Sequence, residues 1–287
     1  MPRVALATAA HLPALDEDGP LLRAALAATG VEAEVAVWDD GTVDWSRYDL
    51  VVVRSTWDYS ARREEFLAWA AGIPRLANPA PVLAWNTDKT YLRELAAAGV
   101  PVVPTTWLVP GDEVAAPAVE HVVKPSVSAG ARDTARYGPD ESAASAAHAR
   151  RLLEAGRPVM VQPYLSGVDT AGETAVLCFE GEVDHGARKG ALLAAGAGVD
   201  NTLDSRAAVT PRVPTAAEVE VARAALAAVP WPAPLLYARV DLVPGPDGTP
   251  VVIELEVAEP SLFLRHAPGS AQRFAAAVRR AALSPGT

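Results

Sequence analysis

Cysteine is nearly absent from this chain, with one residue, Cys178, among 287. A single cysteine excludes an internal disulfide framework and suits a reducing compartment, so we expect a cytoplasmic protein. Cys178 lies in an apolar run, residues 174–179. A buried structural thiol is therefore favoured over a nucleophile.

Long apolar runs and an excess of positive charge are also missing. Half of the residues are hydrophobic, but no uninterrupted apolar run approaches the ~18 residues that a membrane-spanning helix requires. The formal net charge is −10, which argues against a general surface for nucleic acids or anionic membranes. We expect no nucleic-acid and no membrane partner. Any phosphate binding must rely on a few local basic groups and backbone amides.

The commonest nucleotide and metal motifs do not occur. The chain has neither a P-loop (GxxxxGK[ST]) nor a GxGxxG fingerprint, and its five histidines show no HxxxH spacing. What does occur is VVKPSVSAGARDT over residues 122–134, a predicted strand ending in Lys124 and followed by small residues. Such a loop lets backbone amides approach phosphate oxygens, with the lysine as a point charge. A solvated lysine beside an ordinary flexible loop is the alternative.

The most informative pattern is a predicted β-hairpin near the C-terminus, where two apolar runs flank the turn signal Pro-Gly-Pro-Asp-Gly. A two-residue turn at 247–248 sets Asp241 opposite Glu254 and Arg239 opposite Glu256. Because side chains alternate along a strand, all four then project from one face. Unpaired burial of these charges would be unfavourable, and oxygen ligands on adjacent strands suit Mg²⁺. An edge hairpin whose charges face water is the alternative.

The first part of the chain alternates strand and helix signals. Its β-α-β-β-α order predicts an α/β layer with a mostly parallel sheet. In such sheets ligands bind beyond the carboxyl ends of the strands. Arg54, Ser55 and Thr56 directly follow the predicted third strand and are therefore candidate substrate contacts.

Further strands and helices follow, including a second hairpin around Glu180-Gly181 that would place Glu173 opposite Arg188. That arrangement indicates either a cross-strand ion pair or a phosphate contact by the arginine. Residues 161–165 form a predicted strand that could bracket an adenine edge, although a generic buried strand explains them equally well. The predicted strands are 3–8, 31–38, 50–53, 101–108, 120–124, 157–165, 173–179 and 183–189, and the predicted helices are 20–29, 64–71, 86–99, 142–155, 215–229 and 269–283.

In this order the elements resemble the ATP-grasp superfamily of carboxylate–amine ligases over nearly the whole chain. The resemblance implies an α/β pre-ATP-grasp domain over 1–86, followed by an α+β ATP-grasp fold whose two subdomains clasp ATP. The first subdomain, a linker helix and lid, would cover 87–165, and the second, which carries the hairpin, 166–287. The implied cofactors are ATP and Mg²⁺.

The resemblance also implies a role for individual residues. Those expected to bind ATP are Lys89, Lys124, Ser126, Ser128, Gly130, Gln162, Tyr164 and Leu165, with the lid loop at 126–134. The implied metal ligands are Asp241, Glu254 and Glu256, and Arg239 with Arg188 or Lys189 would act near the transferring phosphate. Many members of the superfamily carry asparagine where this chain has Glu256, which adds a negative charge to the metal site.

Three motifs look closest to an actinobacterial cyclo-ligase group, which includes O-ureido-serine cyclo-ligase: VRSTWDY (53–59), WNTDK (85–89) and ELEVAEPS (254–261). The expected activity phosphorylates a small amino-acid-like carboxylate and then forms an amide, between two molecules or within one, in antibiotic biosynthesis. An ATP-dependent kinase and a Mg·ATP-binding module without turnover are the alternatives. Specificity is expected in the N-terminal loops and in 190–213, and a homodimer is possible.

Overall fold

Three β-sheets organise the part of the chain that the computed structural model describes, residues 1–201 and 208–284. The first sheet is parallel, in the order β2-β1-β3-β4, as the alternating strand and helix signals predicted. Its elements are β1 (Arg3–Thr8), α1 (Gly19–Ala28), β2 (Glu32–Val37), β3 (Leu50–Ser55), α2 (Arg63–Gly72) and β4 (Leu76–Ala77).

Two short helices lead out of the first sheet, α3 (Ala80–Asn86) and α4 (Tyr91–Ala97). The prediction of one helix beginning at Asn86 is wrong, because that residue ends α3 instead. Its side-chain amide donates to the Leu255 carbonyl (2.7 Å), and its oxygen accepts from the amide of Val257 (2.9 Å). Asn86 thus connects the helix pair to a strand that is distant in sequence. The residue that was interpreted as a helix cap makes a tertiary contact instead.

The second sheet is antiparallel, in the order β5-β8-β6-β7. Helix α5 packs against it, because the buried side of the helix meets strand residues such as Val123 and Val161 in one apolar cluster. The elements are β5 (Thr106–Leu108), β6 (His121–Pro125), β7 (Ala135–Tyr137), α5 (Ser142–Glu154) and β8 (Val159–Pro163).

The third sheet is also antiparallel, in the order β11-β10-β9-β12-β13, with both predicted hairpins in it. Helix α7 begins with a capping box between Thr215 and Glu218. The elements are α6 (Gly167–Ala171), β9 (Glu173–Phe179), β10 (Glu182–Lys189), β11 (Val209–Arg212), α7 (Ala216–Ala227), β12 (Tyr237–Pro244), β13 (Pro250–Glu256) and α8 (Ser270–Leu283).

The C-terminal helix joins the first and third sheets through a shared core. Phe274 of α8 is fully buried and lies in one apolar cluster with Leu6, Leu26, Phe179 and Tyr237. Burial of large aromatic and aliphatic side chains is the main stabilising contribution to such a contact. This packing holds the carboxyl ends of the parallel strands beside the hairpin β12–β13.

The three sheets lie within residues 1–86, 87–165 and 166–287, respectively. These domain boundaries stay a prediction. None of the helices in the described part of the chain has both the length and the apolar composition needed to cross a bilayer.

Candidate active site

The hairpin β12–β13 brings the acidic residues together in the predicted register. Asp241 lies opposite Glu254, and Arg239 lies opposite Glu256. All four side chains share one face of the sheet because the alternation of strand side chains requires it. Among the described residues, Asp241, Glu254 and Glu256 form the one group of three that could hold a metal ion, with ligand oxygens within 4.8 Å of one another.

Two deviations from the predicted hairpin cancel each other. The loop has five residues, 245–249, because Pro244 pairs with Pro250, so the prediction of a two-residue turn is wrong. Proline cannot donate to a ladder, which keeps such residues at strand ends. The longer loop shifts the register by one residue, and a bulge at Ile253 shifts it back. The bulge also lets Ile253 line the same cavity as Glu254.

Two basic side chains neutralise the buried Asp241. The ammonium of Lys189 lies 2.7 Å from Asp241 and 2.7 Å from Glu173. The guanidinium of Arg239 donates to Asp241 (Nε–Oδ1 2.9 Å) and contacts Glu256. Burial alone would lower the pKa of Lys189, but Asp241 and Glu173 raise it above its ordinary value, so Lys189 is charged.

Two further lysines face the cluster from outside the hairpin. The ammonium of Lys89 lies 3.1 Å from Glu254 and donates to the Ser128 carbonyl (2.8 Å). Lys124 is 9% exposed, and burial lowers its pKa to about 8. Burial would raise the pKa of Glu254, but Lys89 and Lys124 lower it below the ordinary value. The sequence-predicted basic residues Lys89, Lys124, Lys189 and Arg239 therefore converge on the acidic cluster.

A cavity of about 770 Å³ opens in front of these charges. Of the predicted ATP-binding residues, those that line it are Lys89, Lys124, Ser128, Gly130, Gln162, Tyr164 and Leu165. Ser126 lies behind the wall instead. It is fully buried, and its hydroxyl has no hydrogen-bond partner within the described ranges.

The loop 126–134 covers one side of the cavity in an unusual backbone conformation. Gly130, Ala131 and Asp133 all have positive φ, at 61°, 57° and 54°. The left-handed region is unfavourable for alanine and needs support from surrounding contacts. That support includes the Asp133 carboxylate, which accepts from Arg157 (2.5 Å) and from the amide of Asn201 (3.2 Å).

The opposite end of the cavity is apolar. Side chains of Val103, Val168, Val243 and Ile253 line it beside Leu165. An apolar slot of this kind is suited to a flat heteroaromatic ring. The neighbouring Gln162 amide is engaged with the Thr105 hydroxyl (2.8 Å).

Arg188 lies outside this arrangement, and its predicted pairing with Glu173 is wrong. A register shift in β10 between Val183 and His185 moves the strand by one residue, so Glu173 lies opposite Lys189. The guanidinium of Arg188 donates to the carbonyls of Ala171 (2.7 Å) and Thr170 (3.1 Å). Arg188 therefore fixes the end of α6, and Lys189 is the basic residue that faces the cluster.

Arg54, Ser55 and Thr56 are buried at the end of the first sheet and are not among the residues that line the cavity. Arg54 donates to the Pro260 carbonyl (3.0 Å), and the Ser55 hydroxyl accepts from a backbone amide (3.0 Å). Their position supports a structural role behind the cavity wall and not the direct substrate contact that was predicted.

The cavity wall beside the first sheet contains residues to which the sequence analysis gave no role. These are His11, Trp57, Tyr59, Glu259, Ser261 and Phe263. The motifs at 53–59 and 254–261 included most of them, but no periodicity marked which side chains face inward. Burial raises the pKa of Glu259 to about 8. From the predicted specificity segment 190–213, the residues that line the cavity are Leu192, Leu193, Asn201 and Val209, and 202–207 lie outside the described residues.

The chain is similar to known proteins in both sequence and fold. A family model for the N-terminal domain of the D-cycloserine synthetase DcsG matches residues 4–78. The cycloserine biosynthesis protein DcsG of Streptomyces lavendulae is 42% identical over 293 residues, covering 96% of this chain and 97% of that protein. A crystal structure of D-cycloserine synthetase DcsG has a TM-score of 0.88 at 40% identity, covering 97% of this chain and 99% of the other.

More distant structures share the fold. The D-alanine–D-alanine ligase of Bacillus anthracis has a TM-score of 0.70 at 15% identity and covers 99% of this chain and 98% of its own. A RimK domain ATP-grasp protein of Sphaerobacter thermophilus has a TM-score of 0.67 at 18% identity, with 98% and 100% covered. The predicted fold class, an α/β domain followed by an ATP-grasp fold, is confirmed.

Proposed function

We propose a reaction for this chain on one premise: it belongs to the DcsG family of ATP-grasp ligases. It is an ATP-dependent carbon–nitrogen ligase, as the sequence predicted. Beyond that class, we infer that it converts the carboxylate of a small amino-acid-like substrate to an acyl phosphate. A nitrogen of the same molecule then closes a ring.

One observation carries the proposal, the meeting of three carboxylates and four basic side chains in one cluster beside the cavity. Asp241, Glu254 and Glu256 offer oxygens within 4.8 Å of one another, a donor set that suits Mg²⁺. The four bases supply fixed positive charge where a phosphoryl group would move. The bases are Lys89, Lys124, Lys189 and Arg239.

The reaction begins when an oxygen of the substrate carboxylate bonds to the γ-phosphorus of ATP and the bond to ADP breaks. Mg²⁺ held by the three carboxylates would neutralise charge that develops on the transferring group. Arg239 of β12 and Lys189 of β10 reach the same face. Once ATP binds, these two side chains can exchange a carboxylate partner for a phosphate oxygen.

In the second half-reaction, the nitrogen forms a bond to the acyl carbon and the carbon–oxygen bond to phosphate breaks. Because both reacting groups belong to one molecule, ring closure gains from proximity. The loop 126–134 would exclude water from the acyl phosphate when it closes over the nucleotide. The cycloserine biosynthesis relative DcsG suggests O-ureido-serine as the substrate and cycloserine as the product. The nitrogen of that substrate loses its proton to water when the ring closes, and its carbamoyl group leaves by hydrolysis as carbon dioxide and ammonia.

The test measures ADP release and product mass with O-ureido-serine and with a panel of small amino acids. We expect ADP, phosphate and a cyclic amide with the cognate substrate. The variant Glu254→Gln should lose at least 100-fold in kcat, because it removes a charged metal ligand, while Glu182→Gln on the exposed surface should match the wild type. A stable phosphorylated product would instead indicate a kinase, and ATP binding without ADP formation would indicate a non-catalytic module. Full activity of Glu254→Gln would refute the metal assignment.

A further inference from the structure

The irregular segment 258–262, which follows β13, is fixed by hydrogen bonds from side chains of several elements. Each of five consecutive carbonyls, from Ala258 to Leu262, accepts a hydrogen bond from a different side chain. In chain order the donors are the Tyr237 hydroxyl (2.9 Å), Trp57 Nε1 (3.1 Å), Arg54 Nη2 (3.0 Å), Arg239 Nη1 (3.2 Å) and His185 Nε2 (3.0 Å).

The same segment is held at its far end through its amides. The carboxylate of Asp18 accepts from the backbone amides of Leu264 (2.9 Å) and Arg265 (3.3 Å). Phe263, just before them, has φ of 51° in the left-handed region. A backbone fixed at so many points cannot readjust its side chains freely, so the segment presents Glu259, Ser261 and Phe263 to the cavity in a set arrangement.

Glu259 differs from the other carboxylates that line this cavity. Asp58, Glu173, Glu254 and Glu256 each lie within 4.0 Å of a lysine or arginine. Glu259 is 6% exposed and has no ion-pair partner in the part of the chain that the structure describes. Its polar neighbour is the hydroxyl of Tyr59. It also lies outside the group of three carboxylates that could share a metal ion.

A buried carboxylate without a cation at ion-pair distance is poorly stabilised in its charged form. Lys89 attracts Glu259 only from beyond that distance and is paired with Glu254, so a cationic group of a bound ligand would supply the missing direct partner. The cavity already provides bases for phosphates and carboxylates for a metal. We propose that Glu259 binds the ammonium group of the substrate, with the Tyr59 hydroxyl orienting the carboxylate. The substrate class is then an amino acid with a free primary ammonium, an inference that rests on the proposed function.

The raised pKa of Glu259 agrees with this assignment, because burial and the neighbouring Glu256 raise it more than the attraction of Lys89 lowers it. A bound ammonium would provide the missing partner and form charge-assisted hydrogen bonds with it. Phe263 and Trp57, at the same wall, would supply apolar contact to the rest of a small substrate.

The experiment compares an amino-acid substrate with its desamino analogue, which has hydrogen in place of the ammonium. In the wild type, we expect the amino compound to have a kcat/KM about 10- to 100-fold higher, the range for a hydrogen bond to a charged group. Glu259→Gln should reduce this ratio to near 1 while the KM for ATP and the Mg²⁺ dependence stay unchanged. Glu259→Asp should keep part of the preference, and Tyr59→Phe should reduce it severalfold. Glu182→Gln serves as the surface control.

Equal losses for both compounds in Glu259→Gln would indicate a merely structural role and overturn the proposal. A raised Mg²⁺ requirement would assign Glu259 to the metal instead, which also overturns it. If Glu259→Gln does not fold, Tyr59→Phe provides a second test. An unchanged ratio of kcat/KM between the amino and desamino compounds in Tyr59→Phe would contradict the proposal that the Tyr59 hydroxyl orients Glu259.

A binding measurement separates this proposal from the proposed function. Calorimetry with D-cycloserine and with isoxazolidin-3-one, the same ring without its amine, needs no turnover. Preference for the amine in the wild type and its loss in Glu259→Gln would support the ammonium site even if no ligase activity is found. Equal binding of the two rings by the wild type would refute the site even if ring closure occurs.

Discussion

Replacement of Lys189 by methionine is the most direct test of how the acidic cluster is stabilised before any ligand binds. The ammonium lies 2.7 Å from both Glu173 and Asp241, and methionine keeps the stem but removes the charge. At 2.7 Å each attraction is about 6 kcal/mol at an effective dielectric constant of about 20. Desolvation offsets much of this, and removal of one partner of a buried pair lowers the free energy of unfolding by about 3–5 kcal/mol.

This loss converts to a measurable shift in melting temperature. An unfolding entropy of about 2.1 cal/mol/K per residue gives about 0.6 kcal/mol/K for a chain of this length, so we expect Tm to fall by about 5–8 °C. Scanning fluorimetry of Lys189→Met should also show that Mg²⁺ restores part of the loss, because the cation can neutralise Asp241 in place of the lysine. ADP formation should fall strongly.

The neighbouring residue provides a control on the same strand. Arg188 faces α6, so Arg188→Met should leave ADP formation near the wild-type rate. For stability, the matched control is Arg223→Met, which removes an exposed pair at 3.7 Å and should cost under about 1 kcal/mol. A Tm of Lys189→Met within about 1 °C of the wild type would refute the reasoning on burial.

Two further predictions concern the metal and the nucleotide. Glu256→Asn keeps an oxygen ligand but removes a negative charge. Turnover should therefore persist, but the Mg²⁺ concentration that gives half the maximal rate should rise severalfold. Complete inactivity of this variant at saturating Mg²⁺ would contradict the prediction. Burial lowers the pKa of Lys124 to about 8, and bound phosphates should raise this pKa because they stabilise the charged ammonium. The affinity for ATP should therefore be constant below pH 8 and fall by up to about tenfold per pH unit above pH 8. Calorimetry between pH 7 and 9.5 would check this, and Lys124→Arg should remove the dependence, since guanidinium stays protonated.

Much of the fold was predictable because its main elements carry strong local patterns. Strand β1 and the helices α1, α5 and α8 lie within one or two residues of their predicted bounds. The short strands β4, β7 and β11 were missed, since runs of two to four residues give no periodicity. Register was less predictable than strand position, because a single unpaired residue in a strand shifts every later pair and leaves no signal in composition.

The candidate site shows the same division. The charged residues of β12 and β13 could be placed from alternation alone, although the predicted register at Asp241 holds only because the loop and the bulge at Ile253 compensate. In β10 nothing compensates for the register shift before His185, and Lys189 replaces Arg188 at the cluster. The segment 258–262 could not be predicted at all. Its conformation depends on five donors that are distant in sequence, and no local pattern encodes them.

The charge balance of the cavity explains why these residues act as one unit. Four bases face four carboxylates across the cluster: Lys89, Lys124, Lys189 and Arg239 against Glu173, Asp241, Glu254 and Glu256. ATP with two Mg²⁺ ions carries no net charge. On its binding, the four bases would contact the phosphates and the carboxylates would bind the metal ions, so the site would bury no excess of positive or negative charge. Removal of any one member leaves an excess of one sign of charge both before and after binding. Stability and catalysis should therefore fall together in single variants at this cluster. A variant of Glu259, which has no ion-pair partner among the described residues, should instead alter substrate preference with little effect on Tm.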